Sequence, residues 1–335
     1  MINLALIGAS GTVGKKIIKL LEKKNLELNN FYPIGNSSVG KRINYKDKSY
    51  KVENLETFDI SKVNLAIFSA GSEVAKRYAK KFVDNNVNVI DLSSEFRFED
   101  TVPLIIPEIN GHVLEDINYP ALIANPNCST SQMLMVLKPI HNNYEIELVN
   151  VSTYQAVSGT GKDAINELKN QIYDETSKPS VYPKKIARNV IPQCDVFLDN
   201  NFTKEEMKLN WETKKILDSN IHVQATCVRV PVENGHSESV FIKTKKSVDR
   251  EKVVELLNKT SGVMVVDDPL NLKYPTPLEY TNDTEDVYVG RIRSEVIKDE
   301  NWLSLWIVAD NVYGKGAALN AVQILQKLLT LDTLC

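Results

Sequence analysis

Cys128 lies in the stretch Asn125-Pro-Asn-Cys-Ser-Thr130, between an apolar run at Pro120–Ala124 and a run over 131–138 that is typical of a helix. The apolar run has the length of a short buried strand, so the cysteine falls at a strand-to-helix turn. Backbone N–H groups and the dipole at a helix N-terminus stabilise a thiolate. The turn therefore predicts a nucleophilic cysteine. The alternative is a buried thiol that packs as a small hydrophobic side chain.

An arginine and a histidine in the second half of the chain could complete such a site. His236 lies beside a glycine between two predicted strands, and a histidine can serve as a general acid or base. Arg229 belongs to an otherwise apolar strand of the same region. A buried arginine needs an anionic partner, so Arg229 predicts either a bound substrate carboxylate or an internal ion pair.

The start of the chain has the pattern of a dinucleotide site. An apolar strand at Ile2–Ile7 leads into a turn with Gly8, Gly11 and Gly14, and a helix follows over 15–23. Gly8 and Gly11 would allow a tight turn and the approach of a pyrophosphate, while Gly14 would let the helix pack on the strand. This context favours a nicotinamide dinucleotide over a plain strand–helix turn.

The next predicted strand, Phe31–Ile34, indicates which dinucleotide binds. A site for NAD carries an acidic residue near this point for the ribose hydroxyl. Here the loop contains Ser37, Ser38, Lys41 and Arg42 and no acidic residue. Hydroxyls and cations suit a 2′-phosphate, so the sequence predicts NADP.

The elements around these residues predict two domains. Strands and helices alternate in the first half, which indicates an α/β Rossmann domain with a parallel sheet. Ligands gather at the carboxyl ends of such strands, where we predict Gly8–Gly14, Gly71, Arg97 and Cys128. After about residue 145, long alternating strands with interspersed helices predict an α+β domain with a large mixed or antiparallel sheet. Segment 174–202 lacks periodicity and is predicted to be a long loop that serves the active site or a subunit contact.

Composition excludes several classes of protein. The 335 residues carry a net charge of −3 and no apolar run of membrane-spanning length, so neither nucleic acid nor membrane is a predicted partner. No basic region precedes the first apolar strand, so no signal peptide is predicted. The four cysteines, at 128, 194, 227 and 335, form no Cys-x-x-Cys pair, which argues against a metal site or a disulfide framework and favours a reducing cytoplasm.

Several ordered blocks together resemble one family, the bacterial type of aspartate-β-semialdehyde dehydrogenase, over nearly the whole chain. Besides the glycine turn and the cysteine block, they are Gln155-Ala-Val-Ser-Gly-Thr-Gly161, Cys227-Val-Arg-Val-Pro-Val232, Gly235-His-Ser-Glu238, Val289-Gly-Arg-Ile-Arg293 and Gly316-Ala-Ala-Leu-Asn320. The resemblance implies a Rossmann domain at 1–127, completed by the C-terminal helix within 312–335. It also implies a catalytic and dimerisation domain at 128–311 and a homodimer.

The resemblance implies reductive dephosphorylation of L-β-aspartyl phosphate with NADPH, a step toward lysine, methionine and threonine. Cys128 would form a thioacyl enzyme, His236 would shuttle the proton, and Gln155 would orient the intermediate. Arg229 and Glu205 would bind the substrate carboxylate and amino group, and the phosphate would contact Arg97, Asn127 and Lys208. Glu212 and Lys215 have the same spacing as Glu205 and Lys208, so both pairs stay open. The implied cofactor contacts are Gly8, Ser10, Gly11, Thr12, Val13, Gly14, Ser37, Ser38, Gly71, Ser158, Gly159 and Asn311.

One departure from the family pattern bears on the cofactor. Ser37 stands where the family usually has arginine for the NADP 2′-phosphate, so NADP preference is expected to be weaker. One alternative function is an N-acetyl-γ-glutamyl-phosphate reductase, whose block usually reads Asn-Pro-Gly-Cys-Tyr; Asn127 and Ser129 argue against it. The other is a non-catalytic paralogue, which the joint presence of Cys128, Gln155, Arg229 and His236 disfavours.

Overall fold

The structure, a computed structural model, describes residues 2–331 and residue 333. Its strands are β1 (Ile2–Ile7), β2 (Leu28–Gly35), β3 (Arg42–Tyr45), β4 (Lys48–Lys51), β5 (Glu53–Asn54), β6 (Leu65–Phe68), β7 (Asn88–Asp91), β8 (Leu122–Ala124), β9 (Ile146–Gln155), β10 (His222–Arg229), β11 (His236–Thr244), β12 (Val263–Val265), β13 (Val287–Ile297) and β14 (Glu300–Ala309). Its α-helices are α1 (Thr12–Lys23), α2 (Ser72–Asp84), α3 (Pro107–Asn110), α4 (Cys128–Tyr144), α5 (Lys162–Tyr173), α6 (Lys204–Ile216), α7 (Arg250–Asn258), α8 (Pro277–Tyr280) and α9 (Ala318–Thr330). Within this described part, no helix is long and apolar enough to cross a membrane.

The first compact unit runs to Pro126 and resumes at Ala317. Its six-stranded sheet has the order β5-β2-β1-β6-β7-β8, and every neighbouring pair is parallel. β1 and β6 are almost entirely buried, as expected of parallel strands that are covered on both faces and therefore consist of continuous apolar residues. Helix α9 packs on α1, α3 and β7 and belongs to this compact unit.

The second compact unit covers Asn127–Gly316 and contains a mixed sheet. The order is β10-β9-β11-β14-β13-β12, with parallel pairs at the two edges and antiparallel pairs between them. Helix α4 packs on one face, in contact with β9, β11, β13 and β14. The two sheets confirm the predicted fold class. The predicted functional domains, 1–127 with 312–335 and 128–311, remain a prediction.

Three local features differ from the sequence-based prediction. Helix α4 begins at Cys128 rather than Ser131, because the side chain of Asn127 caps it three residues earlier. His236 is the first residue of β11 rather than part of a loop. A hairpin of β3 and β4 follows the Ser37–Ser38 loop, where no strand was predicted. Short, exposed, charged strands of this kind carry little hydrophobic periodicity, which is why the pattern missed them.

Candidate active site

The thiol of Cys128 lies at the N-terminal end of α4. The side chain of Asn127 accepts hydrogen bonds from the backbone N–H groups of Ser129, at 2.9 Å, and Thr130, at 3.2 Å. This cap fixes the first turn, in which Cys128 is half-buried. A Cβ atom on Gly316 would lie only 2.7 Å from the Cβ of Cys128. The glycine therefore leaves room for the cysteine.

The imidazole of His236 is completely buried at the start of β11. Its Nδ1 accepts a hydrogen bond of 3.0 Å from the backbone N–H of Ala156, while Nε2 has no hydrogen-bond partner among the described residues. Burial, and then the positive charge of Arg229, lower the pKa of His236 to about 3. The ring is therefore neutral near pH 7. Since Nδ1 accepts, the ring proton of the neutral form is carried by Nε2.

The guanidinium of Arg229 is buried at the end of β10. Its Nη1 donates to the backbone oxygen of Ala156 at 2.6 Å, and its Nε has no hydrogen-bond partner among residues 2–331 and 333. Within the same residues, no carboxylate forms an ion pair with it. The internal ion pair considered from the sequence is thus not found. A Cβ on Gly159 would lie 3.1 Å from His236 Nε2 and 3.2 Å from Arg229 Nη1, so both groups border the space at this glycine.

Glu205 connects the remaining polar residues of the site. Its Oε1 accepts from Asn127 Nδ2 at 2.8 Å and from Gln155 Nε2 at 3.2 Å, and its Oε2 pairs with Lys208 Nζ at 2.9 Å. Burial would raise the pKa of this carboxyl, but the charge of Lys208 and hydrogen bonds from Lys208 and Asn127 outweigh burial and lower the pKa to about 2. Gln155 also donates to Ser129 Oγ at 3.2 Å, which links this network to the turn of Cys128.

The structure separates the two acid–lysine pairs of α6. Glu205 and Lys208 are both buried, and Lys208 also binds Asp195 at 2.7 Å. Glu212 is buried as well, but its carboxylate accepts the backbone N–H of Asn127 at 2.7 Å, and Lys215 is exposed. Glu205 and Lys208 bond to each other, and Glu205 also bonds to the side chains of Asn127 and Gln155. Glu212 supports the turn.

Arg97 is the one predicted substrate residue in the first compact unit. Its buried guanidinium donates from Nε to the backbone oxygen of Asn125 at 2.9 Å and from Nη2 to that of Leu92 at 3.0 Å. These bonds hold the side chain after β7, near the carboxyl end of the parallel sheet. Its predicted role toward a phosphate stays a prediction.

Five of the predicted cofactor residues of the first unit line a cleft of about 280 Å³. Its lining includes Gly8, Ser10, Gly11, Ser37 and Ser38, and Ser10 Oγ donates to Ser38 Oγ at 2.8 Å. Gly8 has a φ of +85°, which favours glycine.

The other predicted residues of this turn shape it from the helix side. A Cβ on Gly14 would lie 2.3 Å from the backbone oxygen of Gly8, so the helix can pack on the turn only through a glycine. Thr12 and Val13 form the first turn of α1, and Gly71, with a φ of +87°, precedes α2. Arg42 donates to Ser49 and does not line the cleft.

The predicted cofactor residues of the second unit lie beside the histidine. Asn311 Oδ1 accepts from the backbone N–H of Gly235 at 2.9 Å and from Ser158 Oγ at 3.2 Å. Its buried Nδ2 has no hydrogen-bond partner in the described ranges 2–331 and 333. The buried amide of Asn311 could therefore donate to a bound group. Gly159 follows Ser158 directly and is exposed.

Sequence reasoning missed several residues that contact this site. Ser129 accepts a hydrogen bond from Gln155, and Asp195 accepts one from Lys208. Tyr182 donates to Thr160. Gly316 leaves space for Cys128. Tyr182 and Asp195 lie in the segment 174–202, which has no helix or strand. A pattern search has no periodicity to follow there, although the prediction of a loop that serves the site pointed to the right region.

Two family models match the chain. The NAD binding domain of semialdehyde dehydrogenases matches residues 3–117, and the dimerisation domain of semialdehyde dehydrogenases matches residues 137–313. With the parallel sheet and the cysteine at the start of α4, they define an oxidoreductase of the semialdehyde dehydrogenase class. They also confirm the predicted homodimer.

Known relatives narrow the class. Aspartate-semialdehyde dehydrogenases of Campylobacter jejuni and Legionella pneumophila are 44% and 46% identical, over 98% of this chain and 98% and 95% of theirs. A solved structure of aspartate semialdehyde dehydrogenase II complexed with ASA, from Vibrio cholerae, is 40% identical with a TM-score of 0.94 and covers 98% of both chains. The chain belongs to the aspartate-semialdehyde dehydrogenase family. The resemblance, a small-molecule substrate and a role in amino-acid biosynthesis are thereby confirmed.

Proposed function

We propose that the protein converts L-β-aspartyl phosphate to L-aspartate-β-semialdehyde and phosphate with NADPH, through a thioacyl intermediate on Cys128. The observation that carries this proposal is the pair of buried groups at Gly159. Arg229 lacks a carboxylate partner among the described residues, and His236 Nε2 borders the same space. An anionic substrate could accept hydrogen bonds from both Arg229 and His236. The proposal places the protein in the biosynthesis of lysine, methionine and threonine.

Cys128 would provide the nucleophile. Its thiolate attacks the carbonyl carbon of the acyl phosphate, an S–C bond forms, and the C–O bond to phosphate breaks as phosphate leaves. The N-terminal turn of α4 favours the thiolate, because its backbone N–H groups and dipole stabilise a negative charge. Gln155 donates to Ser129 and Glu205 and so holds the reacting turn in place.

His236 would handle the proton. The neutral ring carries its proton on Nε2, which faces the space at Gly159 and can donate to an oxygen that becomes negative during attack and reduction. The hydrogen bond from Ala156 to Nδ1 fixes the orientation of the ring. Burial, and then the charge of Arg229, keep the ring neutral.

Arg229, Glu205 and Lys208 would bind the substrate. A guanidinium with an unpartnered Nε suits a bidentate contact with the α-carboxylate. Glu205 is ionised at neutral pH and can accept from the substrate ammonium, since a carboxylate has about four acceptor sites. Lys208, Arg97 and one remaining amide hydrogen of Asn127 would contact the phosphate.

The cofactor would be NADP. The cleft at Gly8 and Gly11 admits a pyrophosphate, and the hydroxyls of Ser10, Ser37 and Ser38 can donate to a 2′-phosphate. Asn311 Nδ2, which is buried and unpartnered among the described residues, offers a further donor. When bound, the reduced nicotinamide supplies the hydride. A cytoplasmic location, predicted from the cysteines, belongs to the same proposal.

The test is phosphate-dependent reduction of NADP⁺. We expect turnover with aspartate semialdehyde and none with N-acetylglutamate semialdehyde; the reverse would indicate an N-acetyl-γ-glutamyl-phosphate reductase. Cys128→Ser should stay folded and lose several orders of magnitude in kcat, because a hydroxyl ionises far less than a thiol. Near-normal turnover in this variant would overturn the role of Cys128.

The other cysteines are the controls. Cys194→Ala and Cys227→Ala should retain activity, because burial raises the pKa of both thiols and keeps them protonated. Cys335, which is also expected to tolerate substitution, lies outside the described residues.

A further inference from the structure

The segment between α5 and α6 is tied to α5 by two buried side chains. Glu167 Oε2 accepts from the backbone N–H and the hydroxyl of Ser180, both at 2.7 Å, and from the N–H of Val181. One turn later, Gln171 Oε1 accepts from the N–H groups of Ile186, at 2.9 Å, and Ala187, at 3.1 Å. Gln171 Nε2 donates to Glu167 Oε1 at 3.2 Å, which joins the two anchors. The backbone over 180–187 is therefore fixed although it forms no helix or strand.

These anchors place Tyr182 against Arg229. The centre of the tyrosine ring is 6.0 Å from the guanidinium carbon, within the range of a cation–π contact. The hydroxyl of Tyr182 donates to Thr160 Oγ1 at 2.9 Å, next to Gly159. The same segment then reaches Ile191, which exchanges two backbone hydrogen bonds of 2.8 and 2.9 Å with Arg229. The backbone and the guanidinium of Arg229 thus both contact this segment.

Arg229 forms no ion pair with an acidic side chain of the described residues, although its charge helps to lower the pKa of Glu205. Ala156 accepts from its Nη1 and Tyr182 offers an aromatic face, whereas no carboxylate pairs with it among the described residues. A carboxylate would hold the guanidinium more strongly, but it would also occupy the donors that a substrate carboxylate needs. An aromatic face orients the cation and leaves those donors available.

We propose that Tyr182, fixed by Glu167 and Gln171, is a positioning residue that orients Arg229 toward the α-carboxylate of the substrate and so sets selectivity for α-amino acid aldehydes. This inference rests on the proposed role of Arg229. Tyr182 does not take part in the chemistry. Its removal therefore weakens recognition of the carboxylate and leaves thiolate attack and hydride transfer intact.

The experiment compares two aldehydes in the phosphate-dependent reduction of NADP⁺. Aspartate semialdehyde carries the α-carboxylate, and 3-aminopropanal is the same aldehyde with hydrogen in its place. In Tyr182→Leu we expect kcat/KM for aspartate semialdehyde to fall about tenfold, mainly through KM, with kcat/KM for 3-aminopropanal unchanged. Tyr182→Phe keeps the ring and should stay within about threefold of the wild type for both. Tyr173→Leu, at an 89% exposed position at the end of α5, is the matched control.

A second variant covers the case in which Tyr182→Leu does not fold. Glu167→Leu keeps the tyrosine but removes both acceptor oxygens, which releases the backbone of Ser180 and Val181. It should show the same selective loss. Equal losses for both aldehydes, or no loss, in the folded variants would overturn the proposal. The proposed function fails in a different way, namely if the wild-type protein does not turn over aspartate semialdehyde or does not prefer it to 3-aminopropanal.

Discussion

At the scale of single residues, the site is defined by buried polar groups that the chain leaves incompletely paired. His236 and Arg229 are both buried, close enough for the arginine charge to affect the histidine, and bordered by Gly159. Such groups cost stability unless a ligand completes them. A bound carboxylate would neutralise Arg229 and so remove the smaller of the two causes that lower the pKa of His236, while burial still favours the neutral ring.

The low pKa of His236 makes a prediction about stability. Below pH 6.5 an unfolded chain protonates this histidine, whereas the folded protein does so only near pH 3. The unfolded state then binds more protons, so the contribution of His236 to stability falls as the pH falls through this window. Between pH 7 and pH 5 the wild type should lose about 2 kcal/mol more of its free energy of unfolding than His236→Gln.

Urea denaturation of both proteins at the two pH values measures the difference. His112→Gln, at an exposed position, is the control and should follow the wild type. Parallel losses in the wild type and His236→Gln would show that the folded protein protonates His236 as readily as the unfolded chain.

Arg229 carries a prediction about binding. Arg229→Lys keeps the charge but loses the planar fork and the aromatic contact with Tyr182, so KM for aspartate semialdehyde should rise by about tenfold to a hundredfold. The dissociation constant of the cofactor, measured by fluorescence titration, should not change. A weaker cofactor complex with unchanged substrate KM would assign Arg229 to the other half of the site.

Ser37 carries a prediction about the cofactor. Arg42 donates to Ser49 and does not line the cleft. A 2′-phosphate in the cleft would therefore contact hydroxyl groups but no arginine. Ser37→Arg should widen the ratio of kcat/KM between NADPH and NADH by about tenfold, because one charge-assisted hydrogen bond contributes roughly 1.5–3 kcal/mol. Steady-state kinetics with both cofactors checks this. An unchanged ratio would mean that this loop does not contact the 2′-phosphate.

At the scale of elements, helix N-termini fix the two sides of the site. Asn127 caps α4 beside the cysteine, and Thr203 caps α6 one turn before Lys208. The α6 cap is reciprocal: Thr203 Oγ1 accepts from the Glu206 N–H at 3.3 Å, and Glu206 accepts from the Thr203 N–H at 2.7 Å. Glu206 also accepts the N–H of Cys227, so the cap joins α6 to β10.

Removal of this cap should affect both stability and binding. Thr203→Ala should lower the free energy of unfolding by about 1 kcal/mol, because one N–H at the helix start loses its acceptor. KM for the substrate should rise as well, since Glu205 lies in the first turn. Asp249→Ala removes the comparable cap of α7 and should lower stability without a change in KM. Urea denaturation and steady-state kinetics of Thr203→Ala and Asp249→Ala test this prediction. Equal KM values in the two variants would show that the α6 cap does not influence substrate binding.

At the scale of the whole molecule, the homodimer needs a surface on the dimerisation domain. The face of the mixed sheet opposite α4 carries a band of partly exposed aromatic side chains. Phe241 stacks on Trp302 with ring centres 4.5 Å apart, and Tyr154 lies 5.4 Å from Trp306. Exposed aromatic residues of this kind are enriched at interfaces between subunits. We expect this face to form the dimer contact.

A charge in the middle of this face should prevent dimerisation. Ser239 is exposed on β11, between Ser152 of β9 and Trp306 of β14. Ser239→Arg would bury an unpaired guanidinium in the interface. The free energy needed to desolvate this charge would exceed the free energy gained from the contact. Sedimentation equilibrium should show a monomer for this variant and a dimer for Thr57→Arg, which adds the same charge at an exposed position of the first unit. A dimeric Ser239→Arg would place the interface elsewhere.

The sequence by itself determined the features that depend on local order. The apolar strand, Gly8, Gly11 and Gly14 predict the parallel unit, because strand, turn and helix are consecutive in the chain. Cys128 at a helix start follows in the same way from an apolar run, turn residues and a second periodic run. The alternating strands after residue 145 likewise gave the mixed sheet, since side chains alternate faces regardless of which strands become neighbours.

Only the tertiary structure decided what depends on residues far apart in the chain. Glu205 and Glu212 have equivalent spacing, and the choice between them rests on contacts with Gln155 and with the Asn127 turn. The low pKa of His236 results from burial and from the charge of Arg229. The residues next to His236 in the sequence indicate neither of these. Tyr182 reaches Arg229 because Glu167 and Gln171 bind an aperiodic segment by its backbone. Hydrogen bonds to backbone atoms require no particular side chain at the other end, so they leave no trace in the sequence.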